Sequence, residues 1–216
     1  MNRHKQVLTT AILLMVFAIV GATVVGMTYE STYDKIKRNE QLVLLRKLNT
    51  ILSPSEYDND LLNDQVLLEQ NRLLGSTESS SAYLAYRNKE PVAAVLSAVA
   101  PNGYSGPIDL LVGIYYDGSL AGVRVVKHRE TPGLGDAVES QRSDWILGFS
   151  GKSLQAPASA QWKVKRDGGE FDQFTGATIT PRAVVKAVHS ALIYFEQNRK
   201  KIFGQTDDGS RTGKNS

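Results

Sequence analysis

The sequence contains no cysteine, so it can form neither disulfides nor the thiolate ligand sets of iron–sulfur clusters and structural zinc sites. Its three histidines, at positions 4, 128 and 189, do not have the spacing of metal ligands. Basic residues are scattered, and the formal net charge of +3 is too small for a surface that binds a polyanion. A dinucleotide fingerprint and a Walker loop are also missing. We therefore expect no metal site, no nucleic-acid partner and no nucleotide hydrolysis.

A long apolar run lies near the N-terminus, where Val7–Met27 contains no charged residue. As a helix, this run is long enough to cross about 30 Å of hydrocarbon. Arg3 and Lys5 precede it and Glu30 and Asp34 follow it, so the positive-inside rule predicts a cytoplasmic N-terminus and a remainder outside the cytoplasm. A cleaved signal peptide is the alternative, but its apolar region is usually shorter and a small-residue cleavage site would follow it. We therefore expect an uncleaved membrane anchor.

Beyond the anchor, the segment Glu30–Leu52 keeps a helical spacing of apolar residues, and Ser53-Pro54 ends it. We interpret this helix as a stalk or as a helix packed on the following domain. A mixed, acidic segment and a serine-rich loop then extend over residues 55–81. The last residues, from position 204, are polar and contain glycine, which is typical of a disordered tail.

The central part of the chain changes to β character. Four strands are predicted, at Ala82–Arg87, Pro91–Val99, Ile108–Tyr116 and Leu120–His128. Asp117-Gly118 between the last two is a strong hairpin signal. A helix capped by Asp136 is expected to run to Phe149, and Trp162–Lys165 is predicted as another short strand. The chain is thus predicted to be an α+β protein with four segments: an N-terminus and transmembrane helix at 1–29, a helical stalk and connecting segment at 30–81, a mixed α+β domain at 82–203, and a tail at 204–216.

A hydroxyl-rich stretch, Asp172–Pro181, stands directly before the clearest helix start in the sequence. Pro181 suits a first helical position, and Thr180 suits the capping position before it. A helix start presents unpaired N–H groups and the positive end of a dipole, so it suits a phosphate. Thr178 lies two residues before the predicted cap, which puts a hydroxyl beside that candidate phosphate site.

Three glycine-bearing loops would each be ordinary turns if taken alone, but in this order and at these spacings they match a known family. Asp172-x-x-Thr175-Gly176-Ala177-Thr178 resembles the flavinylation motif of the FMN-binding domain shared by the G subunit of Rnf electron transport complexes and the C subunit of sodium-pumping NADH:quinone reductases. Four further stretches are similar to the Rnf G subunit: Asn102-Gly103-Tyr104-Ser105-Gly106, Leu110-Leu111-Val112-Gly113, Glu130-Thr131-Pro132-Gly133-Leu134-Gly135 and Phe171-Asp172-Gln173-Phe174. The resemblance covers most of the chain and is strongest from Pro91 to Val188.

The resemblance implies that Thr178 carries one FMN through a phosphoester bond, because the last hydroxyl residue of the motif is the attachment point in that family. A threonine is a poor nucleophile, and Thr178 has no adjacent general base in the sequence. A separate flavin transferase is therefore implied, which would move FMN from FAD onto the hydroxyl. Asp172, Thr175, Gly176 and Ala177 would serve recognition and close approach.

Two other loops are expected to contact the flavin. Glycines let backbone N–H groups reach ring atoms, so the loop of Thr131, Gly133, Leu134 and Gly135 is expected to pass against the isoalloxazine. Ser105 and Gly106 are expected to line its other side. A turn with a purely structural role is the alternative for each of these residues.

Several nearby side chains are given structural interpretations. For His128 and Glu130 a solvated strand end is preferred over electrostatic tuning of a flavin. Trp145, Trp162 and Phe174 are expected in the core rather than as electron bridges. His189, on the helix after the motif, is expected to be structural.

The resemblance implies a single-pass protein of the bacterial inner membrane with its FMN domain in the periplasm. It would relay electrons between other subunits of an Rnf-type complex, which couples electron flow between ferredoxin and NAD to ion movement. No independent turnover and no catalytic residue are expected. Two alternatives remain open: the C subunit of a sodium-pumping NADH:quinone reductase, and a membrane-anchored FMN-binding module without electron transport.

Overall fold

The computed structural model describes residues 2–205 of the chain, which forms two compact units, residues 1–44 and residues 45–216. A continuous helix, α1, spans Asn2–Ile51. The predicted anchor Val7–Met27 belongs to this helix, which is long and apolar enough, by length and composition, to cross a membrane. The predicted continuation of the helix and its end at Ser53-Pro54 are confirmed. Of the predicted tail, residues 206–216 lie outside the described residues.

Five antiparallel strands form one sheet in which sequence neighbours are also spatial neighbours. The strands are β1 (Gln65–Leu68), β2 (Ser80–Arg87), β3 (Glu90–Ala100), β4 (Ile108–Tyr115) and β5 (Leu120–Lys127). The four predicted strands are confirmed as β2 to β5, and Asp117-Gly118 forms the turn between β4 and β5. β1 escaped prediction because it is short and three of its four residues are exposed, which leaves no alternation of apolar and polar side chains.

The second long helix, α2, spans Ile179–Ile202 and packs across β3 and β4 on one face of the sheet. Its buried residues Val184, Val188 and Leu192 follow the predicted helical spacing. They share a core with Leu96 of β3 and Val112 of β4, all of which are nearly inaccessible to solvent. This packing fixes the start of α2, where the hydroxyl-rich motif ends, relative to the sheet.

The predicted helix from Asp136 to Phe149 is wrong. The chain instead forms two 3₁₀ helices, Gly135–Val138 and Asp144–Phe149. The second helix starts anew after Ser143, because the hydroxyl oxygen of Ser143 accepts a hydrogen bond from the Trp145 N–H (3.3 Å) and so caps that helix. Asp136 lies inside the first helix and therefore caps nothing.

The predicted strand Trp162–Lys165 is also wrong. Only one bridge forms there, between Val164 and Phe171, because the chain turns at once into a 3₁₀ helix, Lys165–Asp167. Gly169 is essential to this tight return, since a Cβ at this position would lie 2.0 Å from the Lys163 carbonyl oxygen.

The other face of the sheet is covered by the end of α1. Leu48, Ile51 and Leu52 are buried, and Gly113 of β4 leaves room for Ile51, whose Cγ2 would lie 2.2 Å from a Cβ at position 113. Lys47 donates to the carbonyl oxygens of Val125 and Val126 (3.1 and 2.9 Å), and burial lowers the pKa of its amine. The second compact unit begins at Leu45 and so includes these residues.

A group of aromatic rings lies beneath the hydroxyl-rich motif. Trp162 is buried and stacks on His189 of α2, with ring centroids 5.2 Å apart. It also contacts Phe171 in a tilted arrangement, with centroids 5.1 Å apart. Trp145 packs edge-on against Phe174 at 5.1 Å. The predicted core position of Trp162 is confirmed, whereas Trp145 and Phe174 are partly buried and pack against the core. His189 contributes to this packing.

The partial burial of His189 should make the stability of the protein depend on pH. Burial lowers the pKa of its imidazole below the ordinary 6.5, so the folded state favours the neutral ring. As the pH falls below about 6.5, the unfolded chain binds the proton first, and the stability present above that pH is lost. The melting temperature should therefore fall more between pH 7 and pH 5 for the unmodified sequence than for His189→Gln. Parallel pH profiles, measured by circular dichroism of the full chain in detergent, would contradict this account.

Candidate functional site

The start of α2 differs from the sequence prediction. The helix begins at Ile179 with Thr178 in the N-cap position, so Thr180 is not the cap and Pro181 is the third helical residue rather than the first. Pro181 is still in the first turn, where its missing N–H costs no helical hydrogen bond. Thr180 fails as a cap because its side chain is fully buried, with its hydroxyl donating to a carboxylate of another loop.

A tight turn at residues 174–177 directly precedes Thr178 at this helix start. The N–H of Ala177 donates to the carbonyl oxygen of Phe174 (3.2 Å), and Gly176 has a φ of +78°. A third turn residue with positive φ favours glycine, because a side chain there is strained. The Trp145 Nε1–H donates to the carbonyl oxygen of Asp172 (2.8 Å), so the chain entering the turn is held against the aromatic core.

The buried carboxylate of Glu130 connects this region to two other loops. Glu130 is 4% exposed. Its Oε1 accepts the N–H of Ser105 (2.9 Å), and its Oε2 accepts the hydroxyl of Thr180. Its own N–H donates to His128 Nδ1 (3.0 Å), which leaves the Nε2 proton of that ring for Glu139 Oε1 at 2.8 Å. The predicted solvated strand end is therefore wrong for both Glu130 and His128.

Two glycines allow the chain to pass close to this carboxylate. A Cβ at Gly135 would lie 2.8 Å from Glu130 Oε2 and 2.9 Å from Thr180 Oγ1. A Cβ at Gly103 would lie 2.9 Å from Glu130 Oε1. Real Cβ atoms do not approach oxygen so closely, so glycine is needed at both positions to bring the loops together.

A cavity of about 350 Å³ opens between the three glycine-bearing loops. Its apolar lining consists of Tyr104, Leu134, Ala177 and Ile179, and Tyr104, Leu134 and Ile179 are well exposed. Its polar lining consists of Glu130, Thr131, Thr178 and Thr180, and Gly135 and Gly176 complete it. A concave, mostly apolar cavity of this volume with a few convergent polar groups is typical of a small-molecule site.

The structure brings most, but not all, of the predicted site residues together. Those that line the cavity are Thr131, Leu134, Gly135, Gly176, Ala177 and Thr178; those that do not are Asp172, Thr175, Gly133, Ser105 and Gly106. Asp172 is exposed and pairs with Lys165 at 2.6 Å. Ser105 acts through its N–H on Glu130 rather than by lining the cavity.

The cavity lining also includes four residues that were not predicted as site residues from the sequence: Tyr104, Glu130, Ile179 and Thr180. Tyr104 and Ile179 directly adjoin the predicted site residues Ser105 and Thr178. Their position in the sequence is therefore the signal that could have identified them. The bond between Glu130 and Thr180 joins residues fifty positions apart and has no local signal. Among residues 2–205 no group of three or more acidic, histidine or cysteine side chains is arranged to hold a metal ion.

The lining residues fit an FMN chemically. The apolar side chains suit a flat aromatic ring, and the Thr178 hydroxyl stands at a helix start that favours a phosphate. The carboxylate of Glu130 in the lining accepts hydrogen bonds from Ser105 and Thr180 rather than from Thr178.

Comparison with known proteins gives consistent matches along the chain. The family model of the FMN-binding domain matches residues 103–193, and that of the RnfG N-terminal region matches residues 1–51. The chain is 48% identical over 199 residues to the G subunit of the ion-translocating oxidoreductase complex of Pseudomonas aeruginosa (strain UCBPP-PA14), covering 92% of this chain and 93% of that protein. It is 44% identical to the corresponding G subunit of Pseudoalteromonas atlantica over 205 residues, covering 94% and 95%. It is also 44% identical to that of Vibrio cholerae (strain M66-2) over 194 residues, covering 90% and 92%.

The close approach at Gly135 predicts the effect of adding one methyl group there. Gly135→Ala should lower the free energy of unfolding by about 1–3 kcal/mol, because the new Cβ overlaps Glu130 and Thr180 and forces the loops apart. Gly148→Ala is the matched control, since a Cβ at Gly148 meets no atom within 4 Å. Thermal unfolding of the full chain compares the two variants. Equal stabilities would contradict the tight packing around Glu130.

Proposed function

The chain belongs to the family of the G subunits of ion-translocating oxidoreductase complexes, and on this premise we propose that it is an electron carrier with one FMN bound covalently to Thr178. The observation that carries the proposal is the position of Thr178, which lines the cavity between the glycine turn and the first turn of α2. The match at residues 1–51 to the RnfG N-terminal region favours the Rnf-type G subunit over the C subunit of a sodium-pumping quinone reductase.

The geometry of three neighbouring threonines supports Thr178 as the attachment point. Thr175 is exposed and does not line the cavity. Thr180 lines the cavity but is fully buried, and its hydroxyl donates to Glu130. Thr178 is half-buried, lines the cavity, and has no side-chain hydrogen bond to the helix that it caps. Thr178 alone among the three therefore combines a reachable hydroxyl with a position in the cavity wall.

The start of α2 suits the phosphate of the attached group. The N–H groups of Ile179 and Thr180 have no acceptor within the helix, and Pro181 has no N–H. The positive end of the helix dipole favours a negative charge at this position. The tether would thus be stabilised by the backbone that follows Thr178.

The attachment itself requires a second enzyme. A flavin transferase would bring FAD and magnesium to the Thr178 hydroxyl. The bond between Thr178 Oγ and the FMN phosphorus forms, the pyrophosphate bond of FAD breaks, AMP leaves, and a base of the transferase takes the hydroxyl proton. The cavity of this chain supports the need for an outside base, because the hydrogen bonds of Glu130 come from Ser105 and Thr180 and not from Thr178.

The role of the chain follows from what each part supplies. Bound FMN supplies the redox chemistry, and the chain supplies the tether, the apolar cover of Tyr104, Leu134 and Ile179, and the anchor helix α1. The exposed rim of the cavity leaves the flavin accessible to partner subunits. The chain would therefore pass electrons between other subunits of the membrane complex without converting a substrate itself.

The orientation in the inner membrane is part of the proposal. Arg3 and Lys5 precede the apolar run of α1, and Glu30 follows it. Positive charge before a first membrane helix favours a cytoplasmic N-terminus, which would place residues 45–216 in the periplasm.

The attachment site can be tested by substitution of the threonines. After co-production with a flavin transferase, the denatured wild-type chain should keep flavin fluorescence on a gel, because the bond is covalent. Thr178→Ala should reduce this fluorescence to background, whereas Thr175→Ala should retain it. Flavin that persists in Thr178→Ala and disappears in Thr175→Ala would contradict the assignment.

The orientation can be tested with reporters fused after Ser216. Alkaline phosphatase, which folds to an active enzyme in the periplasm, should be active, and a fluorescent protein that matures only in the cytoplasm should stay dark. Moving Arg3 and Lys5 to the far end of the apolar run should weaken this preference. A bright cytoplasmic reporter and an inactive phosphatase would overturn the proposed orientation.

A further inference from the structure

We propose that the Glu130 carboxylate is a positioning residue of the flavin site whose negative charge lowers the reduction potential of the FMN. This inference rests on the proposed function, because it needs FMN in the cavity that Glu130 lines. It assigns a role to a buried acidic side chain that neither the tether nor the apolar cover of the flavin requires.

Both hydrogen-bond partners of Glu130 are groups that can donate to an ionised carboxylate. Both oxygens act as acceptors, Oε1 from the Ser105 N–H at 2.9 Å and Oε2 from the Thr180 hydroxyl. A protonated carboxyl group would use one of its oxygens as a donor. The two donors hold the carboxylate in place and bring its charge to the cavity wall.

In the part of the chain that the structure describes, no salt bridge joins Glu130 to a basic side chain. The salt bridges between residues 2 and 205 involve other carboxylates, such as Asp136 with Arg142 and Asp172 with Lys165. Glu130 is 4% exposed, so bulk water screens its charge weakly. In such surroundings a fixed charge acts on a neighbouring group more strongly than it would in water.

Reduction adds negative charge to the flavin, so a fixed negative charge in the same cavity opposes it. Removing the charge while keeping the shape of the side chain should therefore make reduction easier. We expect Glu130→Gln to favour reduction about tenfold or more, which corresponds to an upward shift of about 59 mV for one electron.

A second variant separates charge from packing. Glu130→Asp shortens the side chain by one methylene, and so loosens its packing, but it keeps the negative charge. The potential should therefore stay closer to that of the wild type than to that of Glu130→Gln. A loosened cavity would instead shift both variants in the same direction.

A matched control comes from the opposite end of β3. Glu90 is exposed and begins this strand, whereas the loop that contains Ser105 follows its far end. At about 3.3 Å per residue, the length of β3 separates the two by roughly 30 Å. Glu90→Gln makes the same change of charge and should leave the potential unaltered.

The experiment is a potentiometric titration of the flavin absorbance in the purified, flavin-loaded full chain and its three variants. The expected result is a potential of Glu130→Gln above that of the wild type, with Glu90→Gln equal to the wild type and Glu130→Asp near it. An unchanged potential in Glu130→Gln, or an equal rise in Glu130→Gln and Glu130→Asp, would overturn the inference.

Two further readouts distinguish the possible failures. If the wild-type chain carries no FMN after co-production with the transferase, the proposed function fails, whatever the role of Glu130. Thermal unfolding of the flavin-free variants shows whether each one folds. If Glu130→Gln does not fold or take up flavin, Glu130→Met, which also removes the charge at a similar side-chain length, takes its place, and a potential equal to that of the wild type rejects the inference.

Discussion

The buried carboxylate of Glu130 accepts hydrogen bonds from two segments far from it in the sequence, the loop after β3 and the first turn of α2. These two bonds hold three loops around one cavity, and Gly103 and Gly135 are the residues that let the chain come so close to the carboxylate. The sheet and the packed face of α2 supply a rigid support, but the support alone would not close the loops. The geometry around Thr178 therefore depends on this one side chain.

The same arrangement distinguishes between threonines that look equivalent in the sequence. The hydroxyl of Thr180 donates to Glu130, and Thr175 is exposed in the glycine turn. Thr178 remains at the helix start, in the cavity wall, beside backbone N–H groups that suit a phosphate. A tether at this point would place the flavin against the apolar residues of the cavity without requiring tight reversible binding.

The sequence predicted the features that have local signals. Strands β2 to β5, the turn at Asp117-Gly118 and the long helices follow from residue periodicity and turn residues, and the flavin motif around Thr178 follows from a family resemblance. The Thr-Pro pair suggested a cap at Thr180, because local spacing cannot reveal that its hydroxyl is taken by a residue fifty positions away. The same lack of local signal hid the burial of Glu130 and the exposed, four-residue strand β1.

The most direct test of covalent FMN on Thr178 is the mass of the purified protein, followed by fragmentation of its tryptic peptides. Trypsin should cleave after Arg166 and Arg182 and release the peptide 167–182, which contains all three threonines. The intact chain should gain the mass of one FMN less one water, and the fragment ions should place it on Thr178. An unmodified mass after co-production with the transferase, or a flavin on Thr175 or Thr180, would contradict the account.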